Sequence, residues 1–222
     1  MKTKSFLMFL ISLAFLTVGV RELKAQTDEV PKFELGVHFT SITKPSFDNG
    51  DTEPGLGARF TLNLNRSVAL EAIGNFFPHS CRFCGGGNSG NISQGFVGVK
   101  AGKRFEKWGI FAKGRPGVVS FSQGNSTYVQ TGPTGPLLFP FQFQQKRLNN
   151  FAVDLGGILE FYPTKRLVTR FEAGDTLIHY GSRNSNSLTI DPVTGATVLF
   201  PFTTRSETRH NFQFSAGVGW RF

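Results

Sequence analysis

Residues 212–222 read FQFSAGVGWRF and alternate strictly between apolar or aromatic side chains and polar or small ones. Successive side chains of a β-strand point to opposite faces, so this alternation predicts a strand with one apolar face. The run is also as long as a tilted strand must be to span a bilayer, which takes about 9 to 11 residues. The C-terminal segment is therefore predicted to be a membrane-spanning strand.

The same alternation recurs in seven earlier segments, and no helical period appears between them. These segments are Lys32 to Ser41, Gly55 to Leu64, Val68 to Phe76, Val97 to Arg104, Ile110 to Val118, Phe151 to Phe161 and Leu167 to Leu177. Three apolar residues, Ile73, Phe96 and Val119, fall on the polar faces. Pro116 interrupts the fifth segment and predicts a β-bulge there, because proline cannot donate a ladder hydrogen bond.

The connections between these segments alternate between short and long. Tight turns connect the second segment to the third, the fourth to the fifth and the sixth to the seventh, at Asn65–Ser67, Glu106–Trp108 and Pro163–Arg166. Long Gly-rich and Pro-rich stretches make the other four connections. Short turns at one end and long loops at the other are typical of outer-membrane barrels. The sequence thus predicts an all-β, eight-stranded antiparallel up-and-down transmembrane barrel with short periplasmic turns and long extracellular loops. Both termini would then be periplasmic.

The first residues have the pattern of an export signal. Lys2 and Lys4 precede an apolar stretch of signal-peptide size from Phe6 to Val20, and Ala25 provides a small residue for cleavage. We predict a signal peptide at 1–25 and a barrel domain at 26–222, with a retained anchor as the alternative. The chain of 222 residues has 24 basic and 15 acidic residues; without the first 25 it keeps 20 and 14, a formal charge of +6. No mature segment has the roughly 18 consecutive apolar residues of a spanning helix, and the apolar content argues against disorder.

Alternation alone does not say which face is inside, and a soluble lipocalin-like carrier has the apolar face inward. The polar faces carry five acidic and seven basic residues, interleaved strand by strand, which suits a lumen filled by paired charges. We therefore predict a lumen charge network. Its ten members are Glu34, Arg59, Glu71, Lys100, Lys113, Arg115, Asp154, Glu160, Arg170 and Glu172.

The last strand carries the most specific pattern. Ser215, Gly217, Trp220 and Phe222 match a polar, glycine, aromatic and terminal-Phe spacing that resembles the signal read by the outer-membrane assembly machinery. The mature chain is similar to the small eight-stranded outer-membrane barrels, the group of the OmpA membrane domain and OmpX. The resemblance implies insertion by the barrel assembly machinery and contact with outer-membrane lipids, including lipopolysaccharide. It implies no cell-wall anchoring, because the sequence ends at the eighth strand.

Two loop features are candidate sites. Cys81 and Cys84 would pass through an oxidising compartment, which favours a local disulfide over metal binding or free thiols. Two of the long connections each contain a Leu-Phe-Pro-Phe phrase: loop 3, between the fifth and sixth segments, and loop 4, between the seventh and eighth. Each phrase is predicted to lie on the returning arm of a β-hairpin. The four phenylalanines of these phrases either join an aromatic girdle or bind an extracellular protein partner. They are Phe139, Phe141, Phe200 and Phe202.

Function is predicted to be non-enzymatic: envelope structure with loop-mediated surface interaction or adhesion. The alternatives are a narrow ion-conducting pore and a lipid-modifying enzyme, besides the soluble carrier. Glu34 with His38, and Asp175 with His179 near Ser182, share strand faces but complete no known catalytic pattern. No phosphate-binding, metal-ligand or nucleophile motif is present, so no cofactor is expected. A nucleic-acid partner is not expected either, because basic charge alone provides no groove-reading element.

Overall fold

The computed structural model describes residues 30–43, 52–78, 90–132 and 140–222, and these residues form ten β-strands. In this part of the chain there is no helix with the length and apolarity to cross a membrane. The strands are β1 Phe33–Thr43, β2 Thr52–Asn63, β3 Val68–Phe77, β4 Ile92–Arg104, β5 Trp108–Gln130, β6 Phe141–Phe161, β7 Leu167–Tyr180, β8 Arg183–Ile190, β9 Thr197–Thr204 and β10 Glu207–Arg221.

Eight of these strands form a closed antiparallel barrel in the order β1-β10-β7-β6-β5-β4-β3-β2. Among the described strands, β8 and β9 pair with each other and with no strand of the barrel. β10 closes the barrel by pairing with β1, from Glu34 opposite Arg221 to Ile42 opposite Gln213. The other barrel strands pair with the barrel strands that precede and follow them in the chain. β7 and β10 are such neighbours once the β8–β9 hairpin between them is left out. The predicted all-β, eight-stranded up-and-down topology is confirmed.

The tight turns all lie at one end of the barrel, together with the start of β1 and the end of β10. Phe33 and Phe222 exchange two backbone hydrogen bonds there, of 2.9 and 3.0 Å. In the β2–β3 turn the Asn65 carboxamide oxygen accepts the N–H groups of Ser67 and Val68 at 2.7 and 2.8 Å. Such a side chain replaces backbone partners that the turn itself cannot supply. The connections at the opposite end are the long ones.

Apolar side chains face outward on every barrel strand, and polar ones face inward. Val37 is 62% exposed, whereas its neighbour His38 and the charged Glu34 on the same strand are buried. The outward set includes Leu35, Phe39, Leu56, Phe60, Phe76, Val97, Ile110, Phe151, Leu155, Phe171, Phe212, Phe214, Val218 and Trp220. This arrangement is the opposite of a soluble carrier barrel, whose apolar face would line the interior.

β5 and β6 continue far beyond the segments that alternation marked. Their pairing runs from Trp108 opposite Phe161 to Gln130 opposite Phe141, with a register shift between Phe121 and Asn125. Past the shift the hairpin projects from the barrel, so its residues need no continuous apolar face and the alternation is lost. Loop 3 is therefore a hairpin, as its Pro-rich and Gly-rich tip predicted.

The bulge predicted at Pro116 is wrong. Pro116 pairs regularly with Val153 on β6, and on the β4 side the ladder resumes in the same register after the proline, with Phe96 opposite Gly117 and Val99 opposite Gly114. At Arg115 and Pro116 the described ladder between β5 and β4 has no paired residues, and no extra residue is inserted into the strand.

The apolar residues found on polar faces have a structural role. Phe96 and Val119 belong to a buried apolar layer inside the loop end of the barrel, together with Ile42, Phe77 and Ile178. Phe121 and Tyr180 pack against this layer, with ring centroids 5.9 Å apart. We call this set the apolar plug. Ile73 also points inward, outside the plug.

Close contact between β6 and β7 generates a stability prediction. An added Cβ at Gly156 would overlap the backbone of Ala173 and Gly174, whereas one at Gly157 would meet nothing within 4 Å. Gly156→Ala should lower the free energy of unfolding by about 1–3 kcal/mol, the usual cost of overpacking. Gly157→Ala is the matched control and should be neutral or stabilising in urea unfolding. Equal effects of the two substitutions would contradict the β6–β7 packing.

Candidate functional site

The centre of the lumen holds a closed ring of two arginines and two glutamates. Arg115 on β5 donates to Glu71 on β3 at 3.0 Å and to Glu172 on β7 at 2.6 Å. Arg170 on β7 donates to Glu71 at 2.9 Å and lies 2.7 Å from Glu172. All four side chains are buried. Charged hydrogen bonds of this kind are the strong class, so we call this set the lumen ring and treat it as the centre of the site.

Four further charged residues extend the lumen ring. Lys113 lies 2.9 Å from Asp154 and 3.0 Å from Glu172, and Asp154 accepts a 2.9 Å hydrogen bond from Arg115 Nε. Lys100 donates to Glu160, which lies 3.4 Å from Arg170. The structure therefore brings together in direct contact eight of the ten residues predicted for the lumen network.

Glu34 belongs to a second cluster at the turn end of the lumen. Arg104 and Arg221 each lie 3.5 Å from Glu34 Oε1, and Asn63 donates to the same oxygen at 3.0 Å. The Tyr162 ring lies beneath both arginines, with Arg221 Cζ 4.5 Å from its centroid. Lys100 joins this cluster to the lumen ring at 3.9 Å from Glu34. Tyr162 follows the end of β6, and no strand alternation marks it as a lumen residue.

Arg59 departs from the prediction. It is only 2% exposed, yet in the described part of the chain no carboxylate lies within 4 Å of it, and its Nε and Nη2 atoms have no hydrogen-bond partner. Its guanidinium lies against the β1 and β10 backbone, where Cβ atoms added at Gly36 and Gly219 would both come within 3.1 Å of it. Arg59 is thus inside the lumen without a direct ion pair to any described carboxylate, and its guanidinium lies where side chains at positions 36 and 219 would otherwise be.

The residue pairs considered for catalysis are separated by the fold. His38 is buried and its Nε2 lies 2.7 Å from the Asn75 carboxamide oxygen, while Glu34 belongs to the turn-end cluster. Asp175 pairs with His210 of β10 rather than with His179, which lies 3.0 Å from Thr208. The Asp175–His210 pair was missed because its members are 35 residues apart on different strands. Among the described residues no group of three potential metal ligands is arranged around one point.

At the loop end, the β8–β9 hairpin is tied to the projecting part of β5. Ser185 donates to the Asn125 carboxamide oxygen at 2.9 Å, and the Asn186 backbone N–H donates to the Thr127 hydroxyl at 3.0 Å. The Asn186 carboxamide also donates to the Tyr128 carbonyl at 3.3 Å. Loops 3 and 4 therefore form one platform of paired strands, which we call the loop platform: residues 125–130, 141–146, 183–190 and 197–204.

The tip of the β8–β9 hairpin is held by its own hydrogen bonds. Asp191 accepts from the Thr194 hydroxyl at 2.6 Å and from the Val193 N–H at 3.0 Å, and Gly195 takes a φ of 66° that favours glycine. These hydrogen bonds hold the pKa of the Asp191 carboxyl below its ordinary value, and the bond from the Thr194 hydroxyl has the largest effect. Val193 is 89% exposed at this tip. The hairpin thus presents an apolar residue from a preorganised turn.

Of the four loop phenylalanines, Phe200 and Phe202 lie exposed on β9, and Phe200 is 55% exposed. Phe141 is buried at the start of β6, which removes it from an exposed binding surface, and Phe139 lies outside the described residues. Exposed Phe143, two residues along β6, and Ile190 of β8 were not predicted. Their signal was weak, since neither lies in a repeated phrase.

The remaining predicted sites can be placed only in part. Cys81 and Cys84 lie outside the described residues, as do residues 1–25. Ser215 lies on β10 with its hydroxyl 2.9 Å from that of Thr40, and Gly217 lies where a Cβ would overlap β1. Trp220 is exposed on the outward face. The role of these C-terminal residues in assembly stays a prediction.

Solved eight-stranded barrels resemble this fold. Ail, the attachment invasion locus protein of Yersinia pestis, solved with the heparin analogue sucrose octasulfate, is 11% identical, with a TM-score of 0.46 over 86% of this chain and 96% of its own. Neisserial surface protein A is 10% identical, with a TM-score of 0.49 over 86% and 97%. The N-terminal β-barrel domain of Pseudomonas aeruginosa OprF is 12% identical, with a TM-score of 0.39 over 84% and 97%.

The resemblance to the small outer-membrane barrels is confirmed at the level of the fold. The sequence matches no protein-family model and has no significant match among curated proteins. With identities of 10 to 12% and TM-scores below 0.5, these structures say nothing about function, which must be argued from this chain's own residues.

The lumen ring generates a stability prediction. Arg115→Ala would leave Glu71, Asp154 and Glu172 short of a partner in a buried site, which costs about 3–5 kcal/mol. The urea unfolding midpoint should fall accordingly. Arg147→Ala, at an exposed position of β6, is the control and should change it little. An unchanged midpoint for Arg115→Ala would contradict the inward assignment of β5.

Proposed function

We propose that this chain is an integral outer-membrane barrel that supports a surface-interaction platform and has no enzymatic activity. The observation that supports membrane insertion is the pairing of an apolar exterior with a charged interior. Large apolar side chains are exposed on all eight barrel strands, whereas soluble monomers rarely expose contiguous apolar patches above a few hundred Å². A lipid environment removes that cost, because only the outward face meets the hydrocarbon.

Aromatic pairs at the turn end also favour this placement. Phe33 stacks with Phe60 at 5.9 Å and Phe105 stacks with Trp108 at 4.2 Å. Outer-membrane barrels carry girdles of aromatic residues at both membrane interfaces. With the turns at the periplasmic interface, both ends of the barrel domain would be periplasmic and the long loops extracellular.

The interior supports a platform more than a pore. The lumen ring lies in the middle of the barrel and the apolar plug lies at its loop end. The turn-end cluster around Glu34 and Tyr162 lies at the other end. A hydrated ion passing through would have to separate buried ion pairs and wet apolar side chains, and both steps are costly. The charged residues thus act as a packed core that keeps the barrel rigid.

The loop platform is the part available to a partner. It exposes Ile190, Phe200, Phe202 and Phe143, the adjoining β8–β9 turn exposes Val193, and hydrogen bonds to β5 side chains hold the platform in place. Rigid aromatic and aliphatic anchors are the groups that contribute most to protein interfaces, and preorganisation lowers the entropy lost on binding. A partner with a complementary apolar surface, an extracellular protein, fits this chemistry. Lipopolysaccharide would surround the barrel at the base of the platform.

Membrane insertion can be tested by one substitution at two sites of equal exposure. Val37, midway along β1, is 62% exposed and Ile190 on the platform is 69% exposed. In vesicles, Val37→Arg should cost about 2–4 kcal/mol of unfolding free energy because the charge would enter hydrocarbon. Ile190→Arg should change it by less than about 0.5 kcal/mol. Equal tolerance of both would mean that the barrel exterior faces water.

The interaction proposal predicts that the platform can be disabled without loss of the barrel. Phe200→Ser with Phe202→Ser should reduce binding of expressing cells to immobilised extracellular proteins at least about tenfold, as expected for interface anchors. The heat-dependent gel mobility of the barrel should persist. Arg205→Gln, an exposed change at the base of the hairpin, is the control. Unchanged binding at equal surface amount, or no binding by wild-type cells, would count against the platform.

A further inference from the structure

Arg59 is the exception in an otherwise paired lumen. Among the described residues, seven basic side chains lie inside the barrel. Six of them have a carboxylate oxygen within 4 Å: Lys100, Arg104, Lys113, Arg115, Arg170 and Arg221. Over the described residues, Arg59 has none, and its Nε and Nη2 are buried without a hydrogen-bond partner. Guanidinium keeps its charge in proteins, so neutralisation by proton loss does not relieve this position.

The charge balance of the lumen points the same way. The acidic side chains inside are Glu34, Glu71, Asp154, Glu160 and Glu172, five against seven bases. All five already have a basic partner within 4 Å. No carboxylate of the described lumen is therefore left to move to Arg59 without breaking another pair. Fields from unbalanced charge are strong where the walls are of low dielectric, and they favour a counter-ion.

The wall around Arg59 is built from glycines. Gly36 and Gly219 flank it on β1 and β10, and in the adjoining row His38 lies between Gly57 and Gly217. A Cβ at Gly36 or Gly219 would come within 3.1 Å of the guanidinium, so these two glycines let the backbone of β1 and β10 approach the charged group closely. The row also holds Gln94, whose Nε2 is buried without a partner. Among the described residues, the lumen thus contains unpaired donors at Arg59 and Gln94, whereas its carboxylates all have basic partners.

We propose that Arg59 holds a small inorganic monovalent anion, with chloride as the abundant candidate, inside the lumen. One guanidinium offers two adjacent N–H groups to a single small acceptor and matches a single negative charge. A phosphate or sulfate dianion would need a second free cation, and the other six bases are engaged. The anion neutralises a buried charge and thereby stabilises the folded barrel.

The test is reversible folding in urea, with vesicles or micelles, while chloride replaces gluconate at constant ionic strength. Folding gives the ion access to the site at equilibrium even if exchange through the closed barrel is slow. Above the dissociation constant, each tenfold rise in chloride should raise the wild-type folding equilibrium constant up to about tenfold. Arg59→Met should abolish this dependence. It should also be at least as stable as wild type at the lowest chloride concentration, because it removes an unpaired buried charge.

The control Arg205→Met removes an exposed loop arginine and should keep the wild-type chloride dependence. Arg59→Lys keeps the positive charge and should show a chloride dependence that is weaker than that of the wild type. An absent chloride dependence in wild type, or the same dependence in Arg59→Met, would overturn the proposal. If Arg59→Met fails to fold, crystals of the wild-type protein grown with bromide decide the matter: an anomalous peak at the guanidinium supports the site, and none there rejects it.

Discussion

The lumen ring is the interaction on which the rest of the structure depends. Glu71, Arg115, Arg170 and Glu172 come from β3, β5 and β7, which are not neighbours in the sheet. The ladders hold each strand to the next, whereas this ring joins strands across the barrel. Burying four charges carries a desolvation cost that only close pairing offsets, so the ring contributes specificity more than net stability. A one-residue slip of any of these strands would send its charges outward to the apolar face.

A barrel fixed in this way can support a surface structure. β5 and β6 pass without interruption from the lumen to the loop platform, so the register set around Arg115 extends along the same two strands to the projecting hairpin. The β8–β9 hairpin has no ladder contact with the barrel and depends on side-chain hydrogen bonds from Ser185 and Asn186. The aromatic residues of β9 are therefore positioned by polar side chains of loop 3, and the two loops act as one unit.

The sequence predicted faces and strands better than it predicted partners. Period-2 alternation places Glu71 and Arg170 inward because the membrane imposes one apolar face on every strand, but these residues are 99 positions apart. Which inward residues meet is decided by strand tilt and stagger, a property of the closed barrel and not of any segment. Arg59 shows the same limit: its strand face was right and its pairing was wrong, because Gly36 and Gly219 lie on other strands. The contacts of β8 and β9 could not be predicted from apolar alternation, because strands that project into water need no apolar face.

The layering of the lumen explains why apolar residues interrupt its polar face. A lumen charged along its full length would let water enter from the loop end and weaken the central ion pairs, since their attraction rises as the dielectric falls. Phe77, Phe96 and Val119 are buried at the loop end, where they would restrict that access. The same plug would make an ion at Arg59 part of the folded state, exchanging slowly with the outside. The apolar interruptions and the central ring thus belong to one arrangement, in which the inward side chains act as the packed core of the barrel.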